Sequence, residues 1–175
     1  IVITVLFTIT TTSYYVEYNQ FFFRLLKKPL SIFDRFTTQG LEYLPSEVRP
    51  KIVLCGHDRV GYSILRSLHK KKNKVLVIDY NPEVINHVVS EGYHSIYGDV
   101  TDDEIMDKMN LKELSMFIST IPRVKDNIHL LRKLREVNKR AKVIMTANDI
   151  DESFKLYELG ADYVVLPHFL GGEHV

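Results

Sequence analysis

The chain has 175 residues, 45% of them hydrophobic and 26% charged, and its 23 Lys+Arg against 22 Asp+Glu leave a formal net charge of +1. That balance suits a globular domain with a sizeable core and excludes a disordered chain, which needs fewer apolar residues and a larger charge imbalance. It also argues against general nucleic-acid binding, which calls for a strong positive excess.

From Ile1 to Val16 no side chain except tyrosine can ionise, and the run is dense in Ile, Val, Leu, Phe and Thr. Aromatics then cluster at Tyr14, Tyr15, Tyr18, Phe21, Phe22 and Phe23, followed by Arg24, Lys27 and Lys28. An apolar body, an aromatic belt and a basic edge, in that order, are what a membrane helix shows as it leaves the bilayer on the cytoplasmic side. The run is shorter than the roughly 20 residues of a full span. With no initiator Met, residues 1–28 read as the end of a truncated membrane-exit helix. A secretory signal peptide would place its charges before the apolar run, so that reading fails. A core helix or a strand rich in Thr and Ile stays open. Residues 29–50 read as a connector punctuated by Pro29, Gly40, Pro45 and Pro50. Its Phe33, Phe36, Leu41, Tyr43 and Leu44 are too apolar for a free linker, so part of it is expected to pack.

Residues 51–175 alternate short β-branched runs with amphipathic stretches. Strands are expected at Ile52 to Cys55, Val75 to Asp79, Ser95 to Tyr97, Met116 to Ser119, Val143 to Thr146 and Tyr163 to Leu166. Their nearly continuous apolar runs fit a parallel sheet covered on both faces. Helical periodicity lies between them, as in Val60, Ile64, Leu65 and Leu68, or Ile128, Leu131 and Leu134. Asn81-Pro82 marks one helix start, Thr101 with Glu104 resembles a capping box, and Gly92 and Gly160 close helices. The expected fold is α/β: a Rossmann-like, doubly wound, parallel six-stranded sheet.

The first of these strands runs into Gly56-His57-Asp58-Arg59-Val60-Gly61, where the next helix begins. A glycine turn there lets backbone N–H groups approach phosphates at the positive end of a helix. Eighteen positions after Gly61 the second strand ends at Asp79, followed by Tyr80, and a carboxylate there can accept hydrogen bonds from ribose hydroxyls. The third strand ends at Gly98-Asp99 and the fourth at Ser119-Thr120, so all four features would line one crevice. The strand-turn-helix context with the acid at this distance points to a nucleotide site; the alternative is a glycine turn that only shapes the loop of a sheet binding no nucleotide. Asp58 departs from the pattern: it stands where a glycine is usual, its side chain could hinder close approach, and its carboxylate would repel a pyrophosphate unless a cation or Arg59 intervened.

The stretches IVLCGHDRVGYSILRSL, VLVIDYNPEVI, YGDVTDDE, ISTIPRVKDNI and GADYVVLPHFLGG resemble the TrkA-N, KTN or RCK nucleotide-binding domains that regulate potassium channels and transporters. The leading segment resembles the last membrane helix and connector of a Kef-like monovalent cation/proton antiporter. The resemblance implies a non-enzymatic cytosolic regulatory domain at the cell membrane. It implies that the domain binds NAD(H) or an adenine mononucleotide such as AMP or ATP, dimerises, and signals to the transmembrane transport domain of the same protein. Its phosphate loop would be Gly56, His57, Asp58, Arg59, Val60 and Gly61, and its ribose ligand Asp79. Asp99 and Val100 would lie on the adenine side. Thr120 and Arg123 would approach the phosphates or second ribose, and Asn127 would follow on the next helix. A second regulatory subdomain after the sixth strand is not expected.

Rival readings are weaker. The seven histidines include no HxxxH pair, and no GxSxG elbow or local Cys/His pairing supports nucleophilic catalysis. One cysteine, Cys55, leaves no disulfide framework and no cysteine-rich zinc site; it points to a reducing compartment and reads as core. Arg132, Lys133, Arg135, Lys139 and Arg140 read as a solvated helix face rather than a contact for RNA or anionic lipid. A soluble NAD-dependent oxidoreductase would need a substrate domain and a proton relay near the nicotinamide. A potassium-channel gating-ring domain is the nearer alternative.

Overall fold

The computed structural model describes residues 2–18, 42–43 and 49–167. The chain divides into two compact units, residues 1–40 and 41–175.

In the first unit, helix α1 spans Val2–Glu17. Its hydroxyls are satisfied inside the helix: Thr8, Thr10, Thr11 and Thr12 each donate to the carbonyl four residues earlier at 2.8 Å. None of its residues is buried, and Ile3 and Phe7 are 83% and 72% exposed. Among the described residues no helix is long and apolar enough to cross a membrane. The basic edge expected at Arg24, Lys27 and Lys28 lies outside the described residues.

The second unit is built on one sheet. Its strands are β1 (Glu42–Tyr43), β2 (Ile52–Cys55), β3 (Val75–Asp79), β4 (His94–Tyr97), β5 (Met116–Ser119), β6 (Lys142–Thr146) and β7 (Tyr163–Val165). They lie in the order β1-β4-β3-β2-β5-β6-β7. From β4 to β7 every pairing is parallel, so the six expected strands are present with ends differing by at most one residue. The short β1 was not expected as a strand; it pairs antiparallel with β4, which covers that edge within the connector. Apolar residues run without a break because successive side chains face two different layers. Val53, Cys55, Leu76 and Ile78 pack with Leu130, Leu131 and Leu134 on one face, whereas Ile52, Leu54, Val75 and Val77 pack with Leu65 and Val88 on the other.

The helices of this unit are α2 (Arg59–Ser67), α3 (Pro82–Ser90), α4 (Asp103–Lys108), α5 (Val124–Val137) and α6 (Ile150–Glu158). Helix α3 starts as its sequence predicts, with Asn81 Oδ1 accepting from the Glu83 N–H at 3.0 Å and Pro82 in the first turn. Helix α4 corrects the expected cap. Asp102 is the N-cap and accepts from the Glu104 N–H at 3.0 Å. Thr101 lies one residue before the cap position, and its hydroxyl is turned to Asp99, donating to Oδ1 at 2.7 Å. Gly92 and Gly160, after α3 and α6, have positive φ as their sequence context requires. The basic run His69–Lys74 forms 3₁₀ turns after α2.

Candidate functional site

The sheet reverses its winding between β2 and β5: β3 and β4 add on one side of β2, and β5, β6 and β7 on the other. In an open parallel sheet the loops after two such strands part and leave a crevice at their carboxyl ends. Here Cys55, Ile78 and Ser119 lie in register, so the segments that follow them start side by side. A cleft of about 460 Å³ opens there.

The first wall is the turn from β2 to α2. Gly56 has φ +84°, and its N–H donates to Ile78 O at 2.9 Å. A Cβ on Gly56 would meet Thr120 Oγ1 at 2.8 Å, and one on Gly61 would meet Gly56 O at 2.3 Å. Both positions therefore need glycine, the first for its backbone and the second for the close approach of helix to loop. Thr120 fastens the turn by donating to Gly56 O at 2.9 Å.

Asp79 fastens it from the other side. Its carboxylate accepts from the His57 N–H and the Asn81 N–H, each at 2.8 Å, and the residue is only 9% exposed. An anion there is held by two backbone donors and keeps lone pairs for further donors. Asp99 accepts from the Thr101 N–H at 2.9 Å as well as from its hydroxyl, and these bonds hold its carboxyl below the usual range; Arg123 adds to the effect. Arg123 Nε also pairs with Asp126 Oδ2 at 2.9 Å. His57 is 8% exposed and its Nε2 has no hydrogen-bond partner. Burial pulls its pKa below the ordinary value, against the opposing pull of Asp79. Cys55, beneath the turn, is fully buried, and burial, then the Asp79 charge, pushes its thiol far above the ordinary range.

The comparisons fit this geometry. The TrkA-N domain family model matches residues 52–167, from the first residue of β2 to just past β7. This chain belongs to the TrkA-N domain family. Probable potassium channel protein 2 of Methanocaldococcus jannaschii is 26% identical over 123 residues, covering 69% of this chain and 36% of the relative. The glutathione-regulated potassium-efflux system protein KefC of Escherichia coli is 24% identical over 116 residues, 66% of this chain and 19% of the relative. The chain thus spans well under half the length of these curated relatives.

Among solved structures, the TrkA-N domain of inner membrane protein ybaL from Escherichia coli superposes with a TM-score of 0.66 at 23% identity, covering 73% of this chain and 95% of that one. The GsuK channel bound to NAD gives 0.62 at 21% identity, with 91% and 29% covered. The Shewanella denitrificans Kef CTD in AMP-bound form gives 0.60 at 16% identity, with 69% and 73% covered. These likenesses show the fold.

In this TrkA-N domain the cleft brings together Gly56, His57, Asp58, Asp79, Tyr80, Asp99, Val100, Thr120 and Arg123 of the residues singled out from sequence. Tyr80 stands at the rim, 80% exposed. Arg59, Val60 and Gly61 belong to the first turns of α2 and do not line the cleft. Asn127 does not line it either. It is fully buried, accepts from Ser119 Oγ at 2.6 Å, and donates to Ile121 O at 2.9 Å and Thr146 O at 3.0 Å. Its amide shapes the loop after β5 and has no donor left for a ligand.

Sequence reasoning missed Asn81, Val84, Ile121, Pro122 and Asp126 as lining residues. The signal for Ile121 and Pro122 was their place just after a strand end, as for Thr120. Val84 comes to the cleft because it lies in the first turn of α3. Among the described residues no group of three or more His, Cys, Asp or Glu could hold a metal ion.

Proposed function

We propose that this TrkA-N domain binds an adenine nucleotide, NAD(H) or a mononucleotide of the AMP and ATP class, and thereby regulates a membrane monovalent cation/proton antiporter. The observation that carries the reading is the convergence on one cleft of a glycine turn, the backbone-held carboxylate of Asp79, and Thr120. The glycine turn offers N–H groups at the start of α2 to phosphate, and Asp79 offers acceptors to ribose hydroxyls. The apolar Ile78, Val84 and Val100 supply a surface for a base. The NAD of the GsuK channel and the AMP of the Shewanella Kef domain are ligands of the same chemical class.

The reading assigns the domain no catalysis. Residues 1–28 are the end of a membrane helix, 29–50 the connector, and 51–175 the cytosolic nucleotide-binding domain, which pairs with a second copy. The internally bonded threonines of α1 suit a helix without water around it, since their hydroxyls need no outside partner. Regulation follows if the nucleotide binds two arrangements of the dimer with different affinity, because only differential binding shifts an equilibrium.

Calorimetric titration of the whole chain in a mild non-ionic detergent with NADH, NAD, AMP and ATP tests the reading. Heat of binding from at least one is expected; none at millimolar ligand would refute it. The likeness to the Methanocaldococcus channel protein supports a second reading, a gating-ring domain of a potassium channel. The residues preceding Ile1 in the gene decide between them: a TVGYG-like filter marks a channel, and many spans with intramembrane acids an exchanger.

A further inference from the structure

The loop that would receive phosphate carries a negative charge of its own. Asp58 is the N-cap residue of α2, with extended backbone angles, yet its side chain makes no capping hydrogen bond. It is exposed and lines the cleft beside Gly56 and His57. A carboxylate at a helix N-terminus is favourable for the helix, and it occupies the region where a bound phosphate draws the same stabilisation.

The rest of the cleft does not compensate. Among the described residues, Asp58, Asp79, Asp99 and Asp126 line it against one guanidinium, Arg123, which is already paired with Asp126 at 2.9 Å. The groups suited to a nucleoside, by contrast, are in place. Asp79 is held by two backbone N–H groups, and the apolar Ile78, Val84 and Val100 line the cleft with it.

Building on the nucleotide reading, we infer that Asp58 is a specificity residue: the cleft recognises its ligand through the adenosine part, and the Asp58 carboxylate disfavours phosphate at the loop, a bridging pyrophosphate most of all. Adenosine and AMP are then the better ligands, and ADP and NADH the poorer.

The test is a titration series of adenosine, AMP, ADP and NADH against the whole chain and its Asp58→Asn and Asp58→Gly variants, with EDTA and again with magnesium. In EDTA, Asp58→Asn is expected to leave adenosine within about twofold and to tighten ADP and NADH by about ten- to a hundredfold, with AMP between them. Unchanged adenosine binding also certifies that the variant is folded, and Asp58→Gly should repeat the order. An equal gain for all four ligands, or no gain, overturns the inference while leaving the nucleotide reading intact. So does magnesium raising NADH binding of the unsubstituted chain to the level of Asp58→Asn, since Asp58 would then bridge to the phosphates through a cation. Binding of none of the four, by any of the proteins, refutes the nucleotide reading and this inference with it.

Discussion

The backbone N–H of His57 donates to Asp79 Oδ2 at 2.8 Å across 22 residues of sequence, so the carboxylate at the end of β3 sets the shape of the turn after β2. The other oxygen, Oδ1, accepts from the Asn81 N–H at 2.8 Å. Asp79 is therefore both the expected ribose acceptor and a structural anchor. Asp79→Ala leaves two buried or half-buried N–H groups unpaired and should cost about 2–3 kcal/mol of stability. Asp79→Asn retains one acceptor and should cost about half as much. Equilibrium urea unfolding followed by circular dichroism measures both. Nucleotide binding should disappear in each, since an amide cannot satisfy the loop and two ribose hydroxyls together.

Gly61 gives a prediction from distance alone. An added Cβ would stand 2.3 Å from Gly56 O and 3.1 Å from Gly56 C, both backbone atoms that cannot rotate away. Gly61→Ala must push α2 off the turn, at a cost of about 1–3 kcal/mol. Alanine otherwise favours a helix by about 1 kcal/mol over glycine, so an exposed helical glycine would give the opposite sign. A lower urea midpoint than that of the unsubstituted chain is the expected outcome.

Arg135 was grouped by sequence with four other basic residues as a solvated face, and the structure corrects that. Its guanidinium donates to Gly160 O at 2.6 and 2.9 Å, to Ala141 O at 2.8 Å and to Asp162 Oδ2 at 2.9 Å. It thus ties the last turns of α5 to the start of β6 and to the turn before β7. Burial works against the Asp162 charge, but hydrogen bonds from Lys142, the Val143 N–H and Arg135 outweigh it and hold the carboxyl below its usual range. Arg135→Lys keeps the charge but cannot reach both carbonyls and the carboxylate at once, and should lose about 1–3 kcal/mol. A Lys variant as stable as the original would mean that charge rather than the fork of donors holds this corner.

The elements and the crevice were legible because their signals are local. Strands buried on both faces show unbroken apolar runs, as in Val75 to Ile78, and Gly56 and Asp79 sit at strand ends whatever the tertiary detail. What stayed hidden depended on partners distant in sequence. Thr101 reads as a cap until the helix starts one residue later with Asp102 as its cap and the Thr101 hydroxyl turned to Asp99. Asn127 reads as a ligand group until Ser119, Ile121 and Thr146 surround it. Strand β1 has only two residues, too few for any periodicity, and exists because β4 offers it an edge.

The last prediction concerns acid. His57 has its pKa lowered from the ordinary 6.5, because burial outweighs the attraction of Asp79 for the charged form. The folded chain therefore binds this proton less readily than the unfolded chain. Well above pH 6.5 the imidazole is neutral in both states and contributes nothing to the pH dependence. Below it the unfolded state takes the proton first, and stability falls with falling pH. His57→Gln removes the titration and keeps a polar side chain of similar reach. Between about pH 7.5 and 5.5 its stability should therefore fall less steeply than that of the unsubstituted chain. Asp99 and Asp162 have carboxyls held below 3.8 and stay ionised throughout that range. Urea midpoints at half-unit pH intervals give the comparison. Parallel curves would mean that the buried imidazole takes up its proton in the folded chain as easily as in the unfolded one.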